Sequence, residues 1–394
     1  MHRRDFARAL SSLVFARAAL LSTTTAKQAD KRPSGRRGML VYFGTYTGEK
    51  SKGIYVSRLD AGSGALSPPE LAGASTNPSF LAVHPEGKFL YAVNEVGTYE
   101  GKPSGAVSAF TIARGTGMLT ALNQQSSVGP GPAHLVVDAK GRNVLVANYG
   151  GGSVAVLPIG ADGRLKPASA FIQHTGASVN LERQKAPHAH AINLDPGNRF
   201  AYVPDLGIDK VLIYGFNAQK GSLVPNDPPF ATVQAGAGPR HFACHPRGIF
   251  AYVINEMHCT ITAFRRDTKR GGLTALQTIS TLPEGQPVLP DYSAAELQVH
   301  PSGNFLYGSN RGHDSLVVFA VDEVSGRLTL LQHQPTVGKI PRGFGVDPSG
   351  TYLVAANQRS DSAVVFRIDR DTGRLTATGH TIDVGAPVCV AFVQ

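Results

Sequence analysis

Arg240, Arg311, Glu95, Glu256 and His190 are residue types that together can hold an anion and move a proton. An arginine fork aims paired N–H donors at a carboxylate or phosphate. A carboxylate or imidazole within reach can take a proton from water. His188 stands two residues before His190, so in a strand both rings point to the same side. His-x-His also occurs at metal centres, but a third ligand at suitable spacing is not evident, and no metal or other cofactor is expected. These residues are spread from position 95 to position 311. Their chemistry therefore depends on a fold that gathers them.

A period near fifty residues supplies that fold. Gly-x-Leu recurs seven times, at Gly64–Leu66, Gly117–Leu119, Gly163–Leu165, Gly221–Leu223, Gly271–Leu273, Gly326–Leu328 and Gly373–Leu375. Successive leucines lie 53, 46, 58, 50, 55 and 47 residues apart. Between the copies run short segments rich in Val, Ile, Phe and Tyr, bounded by Gly, Pro, Asn or Asp, which predict strands. Four such runs per period, as in His241–His245, Ile249–Ile254, Thr260–Phe264 and the run from Leu273, predict one propeller blade. A turn element follows the first run in six copies: His84-Pro-Glu-Gly87, Asp138-Ala-Lys-Gly141, Asp195-Pro-Gly-Asn198, His245-Pro-Arg-Gly248, His300-Pro-Ser-Gly303 and Asp347-Pro-Ser-Gly350. The seventh innermost run is Val388–Val393, and Leu40–Gly44, Ile54–Leu59 and Leu66–Leu71 complete its blade. The expectation is an all-β, seven-bladed β-propeller of four-stranded blades over residues 39–394, closed by a blade built from both ends of that segment. Closure removes free sheet edges. The His/Asp–Pro elements read as turn formers without a catalytic role.

Because the blades are copies, equivalent positions can be lined up within this one chain. At the end of each second strand one column reads Tyr46, Glu95, Tyr149, Leu206, Glu256, Arg311 and Gln358. The residues just before it are Thr45, Asn94, Asn148, Asp205, Asn255, Asn310 and Asn357. Five residues before each first turn stand Ser79, Ala133, His190, Arg240, Ala295 and Arg342, followed by Phe80, His134, Ala191, His241, Glu296 and Gly343. In a hairpin the first strand begins where the antiparallel second one ends, so all these columns are expected at one mouth of the central channel. The near-uniform Asn/Asp/Thr column reads as side chains bonding turn backbone. A purely structural position tends to one residue type, so the mixed columns mark a concave polar site suited to an anionic small molecule. The plain alternative is that these charges pair and solvate the channel without chemistry.

The formal net charge is +10, but residues 1–38 carry nine Lys/Arg against two acids, which leaves the remainder near +3. A basic surface for nucleic acid is therefore not indicated. Residues 1–26 run from Arg3-Arg4 with Phe6, through apolar-leaning Ala9–Leu21, to Ser22–Ala26. That order resembles a twin-arginine export signal, with residues 27–38 as a flexible basic arm. Arg8 and Arg17 interrupt the apolar stretch, so it is too short and charged to anchor in a bilayer. Export to the periplasm is expected, the alternative being a basic extension on a cytoplasmic enzyme. No integral membrane association is expected. Cys244, Cys259 and Cys389 are too few and too scattered for a disulfide framework and read as core residues. Zinc-spaced cysteine pairs, a glycine-rich phosphate loop and a Gly-x-Ser-x-Gly elbow are all absent, and so is tryptophan.

Eight stretches carry a family resemblance: Tyr42-Phe-Gly-Thr-Tyr46, Asn77-Pro-Ser-Phe80, Leu90-Tyr-Ala-Val-Asn-Glu95, Pro187-His-Ala-His190, Val203-Pro-Asp-Leu-Gly207, Gly238-Pro-Arg-His-Phe242, Val253-Ile-Asn-Glu256 and Ser309-Asn-Arg311. In their order and spacing the chain resembles the seven-bladed lactonase family, which includes propeller-type 6-phosphogluconolactonases and, more distantly, carboxy-muconate lactonising enzymes. The resemblance implies a site of one His, two Arg and one Glu around the channel. Carried over, these are Glu256, Arg240, Arg311 and, from the His-x-His pair, His190, which shares the column of Arg240. Glu95, Tyr149, His188, His241, Asn255 and Asn310 are expected to contact the substrate.

The reaction so implied is hydrolysis of a sugar lactone, with Arg240 or His190 stabilising the oxyanion. Glu256 as general base would need a pKa near the working pH, yet two arginines would lower it. The reverse assignment, His190 as base oriented by Glu256, stays open. Two other functions compete: a lactonising or cycloisomerising enzyme on a carboxylated diene, and a non-catalytic propeller that binds a ligand or partner.

Overall fold

Alternating Val, Ile, Phe and Tyr bounded by Gly, Pro and Asp do form strands, and the described chain holds 28 of them in seven four-stranded antiparallel sheets. The structure is a computed structural model describing residues 38–393. The expected export signal over 1–26, and the arm over 27–38 apart from Gly38, lie outside the described residues. Blades one to six begin at the innermost strands Leu81–Val83, Pro132–Val137, Asn193–Leu194, Pro239–Cys244, Ser293–Val299 and Pro341–Val346, and blade four keeps the predicted grammar, with Phe250–Asn255, Thr260–Arg266 and Leu273–Ser280 following from the channel outward. The closing blade pairs Pro387–Val393 with Met39–Thr45, Leu40 opposite Val393 and Gly44 opposite Cys389, followed by Gly53–Leu59 and Glu70–Ala74. Its outer strand starts later than Leu66. Leu66 makes only an isolated bridge to Leu59, because Pro68 and Pro69 supply no N–H to continue the ladder.

The Gly-x-Leu repeat is a lock between blades. The hydroxyl of Tyr42 donates to the carbonyl of Gly117 in the next blade at 2.6 Å, and Tyr91, Tyr202, Tyr252 and Tyr307 donate likewise to Gly163, Gly271, Gly326 and Gly373. At Gly326 φ is +73°, and an added Cβ would lie 2.3 Å from the ring of Phe250 in the preceding blade, so only glycine fits. The turn elements work the same seam. His84, His245 and His300 bond through Nε2 to the carbonyls of Gly141, Gly303 and Gly350, each in the following blade. Where the turn begins with aspartate, the carboxylate caps its own hairpin instead, as Asp347 does for the N–H groups of Ser349, Thr351 and Tyr352. Apolar clusters between neighbouring sheets, such as Phe250, Tyr252, Ile261, Leu306 and Phe319, form the core. Among the described residues no helix is long and apolar enough to cross a membrane.

The innermost strands matter most for the site. In blades two, four and six the register slips by one residue beside the channel: Pro132 and His134, Pro239 and His241, and Pro341 and Gly343 face consecutive partners. The extra residues are Ala133, Arg240 and Arg342. A bulge leaves one residue outside the ladder and re-aims its side chain.

Candidate active site

Glu256 follows the second strand of blade four, its N–H bonded to Gly238 O at 2.7 Å and its carbonyl to Ala294 N of blade five at 3.0 Å. Held by both blades, its carboxylate meets three guanidinium groups. Oε1 accepts from Arg183 Nη2 at 2.8 Å, while Oε2 lies 3.1 Å from Arg240 Nε and 2.9 Å from Arg311 Nη2. Arg240 also donates to Ala295 O at 2.8 Å and Arg311 to Ala294 O at 3.1 Å. The entry of blade five thus fixes both cations. Arg311 keeps a buried Nε–H without a protein partner.

A cavity of about 300 Å³ at this mouth is lined by Glu256, Arg311, Arg183, His190, Glu95, Tyr149 and Arg342, among others. His190 lies ahead of the short innermost strand Asn193–Leu194 of blade three, just past the isolated bridge between Ala189 and Asp205, its backbone N–H bonded to Pro204 O at 3.0 Å, and its Nδ1 is buried without a partner. Tyr149 receives Arg183 Nη2 on its hydroxyl at 3.1 Å. Glu95 accepts from Tyr46 Oη at 2.8 Å and from Ser79 Oγ. A cavity of about 420 Å³ opens at the other end of the axis, and two larger grooves, about 660 and 620 Å³, lie elsewhere on the described surface. Neither groove gathers convergent charges of this kind.

Burial alone would raise the Glu256 pKa, but Arg311, Arg240 and Arg183 outweigh it and hold the carboxyl well below the usual carboxylate range. Both of its oxygens are engaged, so it is a poor proton acceptor and a strong anchor for cations. Burial and then the charges of Arg311 and Arg342 push Arg240 down to about 9, still cationic at neutral pH. Burial, and next the charge of Arg240, hold His190 well below the ordinary imidazole value, so its ring is neutral. Among the described residues no group of three or more His, Cys, Asp and Glu side chains is placed to hold a metal ion. What the arrangement offers is a small polar chamber where cationic donors face an anion or oxyanion beside a neutral imidazole.

Residues 40–392 match the family described as Lactonase, 7-bladed beta-propeller. The chain belongs to the seven-bladed β-propeller lactonase family. A 6-phosphogluconolactonase of Bacillus subtilis is 37% identical over 353 residues, covering 90% of this chain and 98% of that protein. Another 6-phosphogluconolactonase, from Formosa agariphila, is 34% identical over 78% of this chain and 86% of its own. Among solved structures, a periplasmic gluconolactonase of Pseudomonas aeruginosa superposes with a TM-score of 0.84 at 34% identity, covering 90% of this chain and 99% of the other.

In this lactonase-family chain the structure brings Glu256, Arg240 and Arg311 into contact, with His190, Glu95 and Tyr149 in the same chamber wall. His188 is set back from it. Its ring stacks on Tyr149 with centroids 4.7 Å apart and its Nδ1 bonds Tyr149 O at 2.9 Å, so it positions that tyrosine. Besides His188, three expected substrate contacts need correction. Asn255 turns outward to Thr260 and Thr262, and Asn310 to Thr281, so both amides serve the blade and not the chamber. His241 lies deeper, paired with Glu296 through Nδ1 at 2.9 Å and lining the throat and the opposite cavity. The bulge explains this last displacement: Arg240 stands outside the ladder and its neighbour falls one layer down the axis.

Two arginines of the chamber were missed. Arg342 stands in the same repeat column as Arg240 and His190, and its guanidinium lies 5.5 Å over the Tyr46 ring. The column carried its signal. Arg183 has no counterpart in other blades. It comes from the long connection between Gln173 and Asn193, which accounts for the 58-residue spacing in the repeat. That connection is pinned by Gln184 Nε2 to Leu206 O and by Ser178 Oγ to Asp209.

Proposed function

We propose that the chain is a lactonase that hydrolyses an aldonolactone, gluconolactone or its 6-phosphate, in the chamber at the Glu256 mouth. One observation carries this reading: Arg183, Arg311 and Arg342 line the chamber, and Arg240 meets Glu256 from the throat directly beneath, against only two carboxylates, Glu95 and Glu256. A chamber with surplus positive charge favours an anion and, more strongly, a transition state that becomes one. With the lactone carbonyl against Arg240 and Arg311, their N–H groups stabilise the oxyanion formed on water attack. Glu256 holds those groups in place and is not the base. The neutral His190 ring takes the first proton from water as the new C–O bond forms. The ring C–O bond then breaks, and that proton goes to the departing ring oxygen. Water's second proton leaves the new carboxyl group as it ionises and is taken up by the His190 ring, which the first transfer has left neutral again. Arg183 and Arg342 remain for a further anionic substituent such as a phosphate. The family matches and the names of the relatives support the same reaction class.

Proton release from gluconolactone and its 6-phosphate, followed in weak buffer, tests the reading. Arg240→Ala and Arg311→Ala should each lose about 10²-fold or more in kcat/KM while remaining folded. Wild-type rates in both variants, or silence of the native protein on both lactones, would sink it. Turnover of a carboxylated diene instead would replace hydrolysis with lactonisation. We also propose export through the Arg3-Arg4 leader, supported by the description of the Pseudomonas relative as periplasmic. In that compartment the unphosphorylated lactone is the substrate to expect. Fractionation of cells making the full chain tests this, and an uncleaved cytoplasmic product would refute it.

A further inference from the structure

We infer that the axial channel beneath the chamber is the exit for the proton released in each turnover, passed from His190 by way of one water bridging the two rings to His241 and Glu296 and out of the opposite mouth. This rests on the reading of His190 as the base. Three cavities follow one another along the axis. The chamber shares Glu95, Ala133 and Arg342 with a throat of about 10 Å³, close to what one water occupies. The throat shares Phe80 and His241 with a cavity of about 420 Å³ at the far end, lined also by His134 and Glu296.

The groups along this line have the geometry of a relay. The rings of His190 and His241 have centroids 5.3 Å apart, and His190 Nδ1 and His241 Nε2 are both buried without a protein partner. One bridging water spans such a gap. On its other side the His241 ring reaches Glu296 Oε1 through Nδ1 at 2.9 Å. An imidazole that accepts a proton at Nε2 can release the one on Nδ1 to a carboxylate, so the proton count balances without any further reactant. His134 packs beside this pair, its ring 5.3 Å from that of His241.

Electrostatics sets the direction. Lactone hydrolysis consumes one water and yields a carboxylate, so one proton per turnover must leave. Retreat through the chamber mouth carries it past Arg183 and Arg311 with the product still bound, while the way down the throat passes Arg240 and Arg342. The far end offers a carboxyl group instead. Glu296 faces His241 and Arg240 of blade four, His134 of blade two and Cys389 of the closing strand. His241 faces His134, His190, Glu256 and Arg240, with Arg311 and Arg342 beyond. Burial raises Glu296 to about 7, whereas His190 is held well below its ordinary value, so transfer toward the far mouth runs downhill.

The test is Glu296→Gln and His241→Gln in the full chain, with gluconolactone as substrate. Steady-state kcat is read against buffer concentration and pH, beside the single-turnover rate. Glu296→Gln should lower kcat about ten-fold in weak buffer and leave KM and the single-turnover rate unchanged. Added imidazole buffer and the Glu296→Asp variant should each restore kcat. A wild-type kcat in weak buffer for both variants overturns the relay. So does a deficit that appears equally in single turnover and resists buffer, since that is what a purely structural role gives. Loss of the base reading is separable: His190→Asn would then retain its single-turnover rate, whatever the relay variants do.

Discussion

Replacing Glu256 with glutamine should cost both stability and turnover, by amounts the geometry sets. The carboxylate takes three charge-assisted contacts, at 2.8, 3.1 and 2.9 Å, from Arg183, Arg240 and Arg311. Contacts to a charged group are worth about 1.5–3 kcal/mol each, and removing one side of a buried ionic cluster costs about 3–5 kcal/mol because the remaining charge stays buried. Arg183 discounts the sum, since its side chain is 44% exposed and can return to water. Arg240 and Arg311 cannot, so about 3–4 kcal/mol is the expected loss. The sign with pH follows from the lowered carboxyl pKa. Glu256 contributes stability above its unfolded value near 4.5 and loses it only as pH falls through the depressed folded value. The deficit of Glu256→Gln should therefore be the same at pH 6 and pH 8 and shrink only in acid. With its counter-charge gone the chamber should bind phosphate more tightly, while kcat falls about 10²-fold through misplaced cations. Denaturant midpoints at three pH values, and phosphate inhibition of lactone hydrolysis, measure all of this. Unchanged stability, or phosphate binding weakened in place of strengthened, would refute the anchoring role.

Arg183→Ala should spare gluconolactone and lower kcat/KM for its 6-phosphate about 10–100-fold, the scale of one charge-assisted contact; equal losses on both lactones would show that Arg183 does not read the substituent. Glu296, raised from 4.5 to about 7, binds its proton more tightly in the folded state, so stability should fall by about 3 kcal/mol as pH rises through that window. Glu296→Gln should abolish that fall, and parallel pH–stability curves would contradict it. Gly326→Ala forces a Cβ to within 2.3 Å of the Phe250 ring at a left-handed φ, and Tyr252→Phe removes the 3.1 Å bond to the Gly326 carbonyl. Losses of about 3 kcal/mol or more and about 1 kcal/mol are expected in that order, read by chemical denaturation; a neutral Gly326→Ala would remove the inter-blade account of the repeat. Asn310→Ala should lower stability by about 1–2 kcal/mol without altering KM, and a raised KM would return Asn310 to the chamber.

What could be read from the bare sequence follows from what a repeat encodes. Gly-x-Leu and the turn elements recur because every blade must meet its neighbour in the same way. Backbone-determined features, including the closing of the ring through Val388–Val393, were therefore visible as spacing. The contact among Arg240, Glu256 and Arg311 was visible for a related reason: positions equivalent in adjacent blades converge on the axis, and departures from the repeat stand out against it. Arg183 defeats that logic, since a residue in a segment that no other blade possesses has no column to depart from. Asn255 and Asn310 defeat it differently. Being next to a chamber residue in a strand argues for the opposite face, and their amides do turn to the neighbouring strand and loop. His241 is the instructive case, because strict alternation would have sent it away from the channel altogether. The bulge at Arg240 spoils that alternation and leaves both side chains on the axis, at different depths. An irregularity of one residue in the ladder thus brings a cation that holds Glu256 and an imidazole that reaches the opposite cavity into one throat, and the sequence marks it only by the proline before each extra residue, Pro132, Pro239 and Pro341.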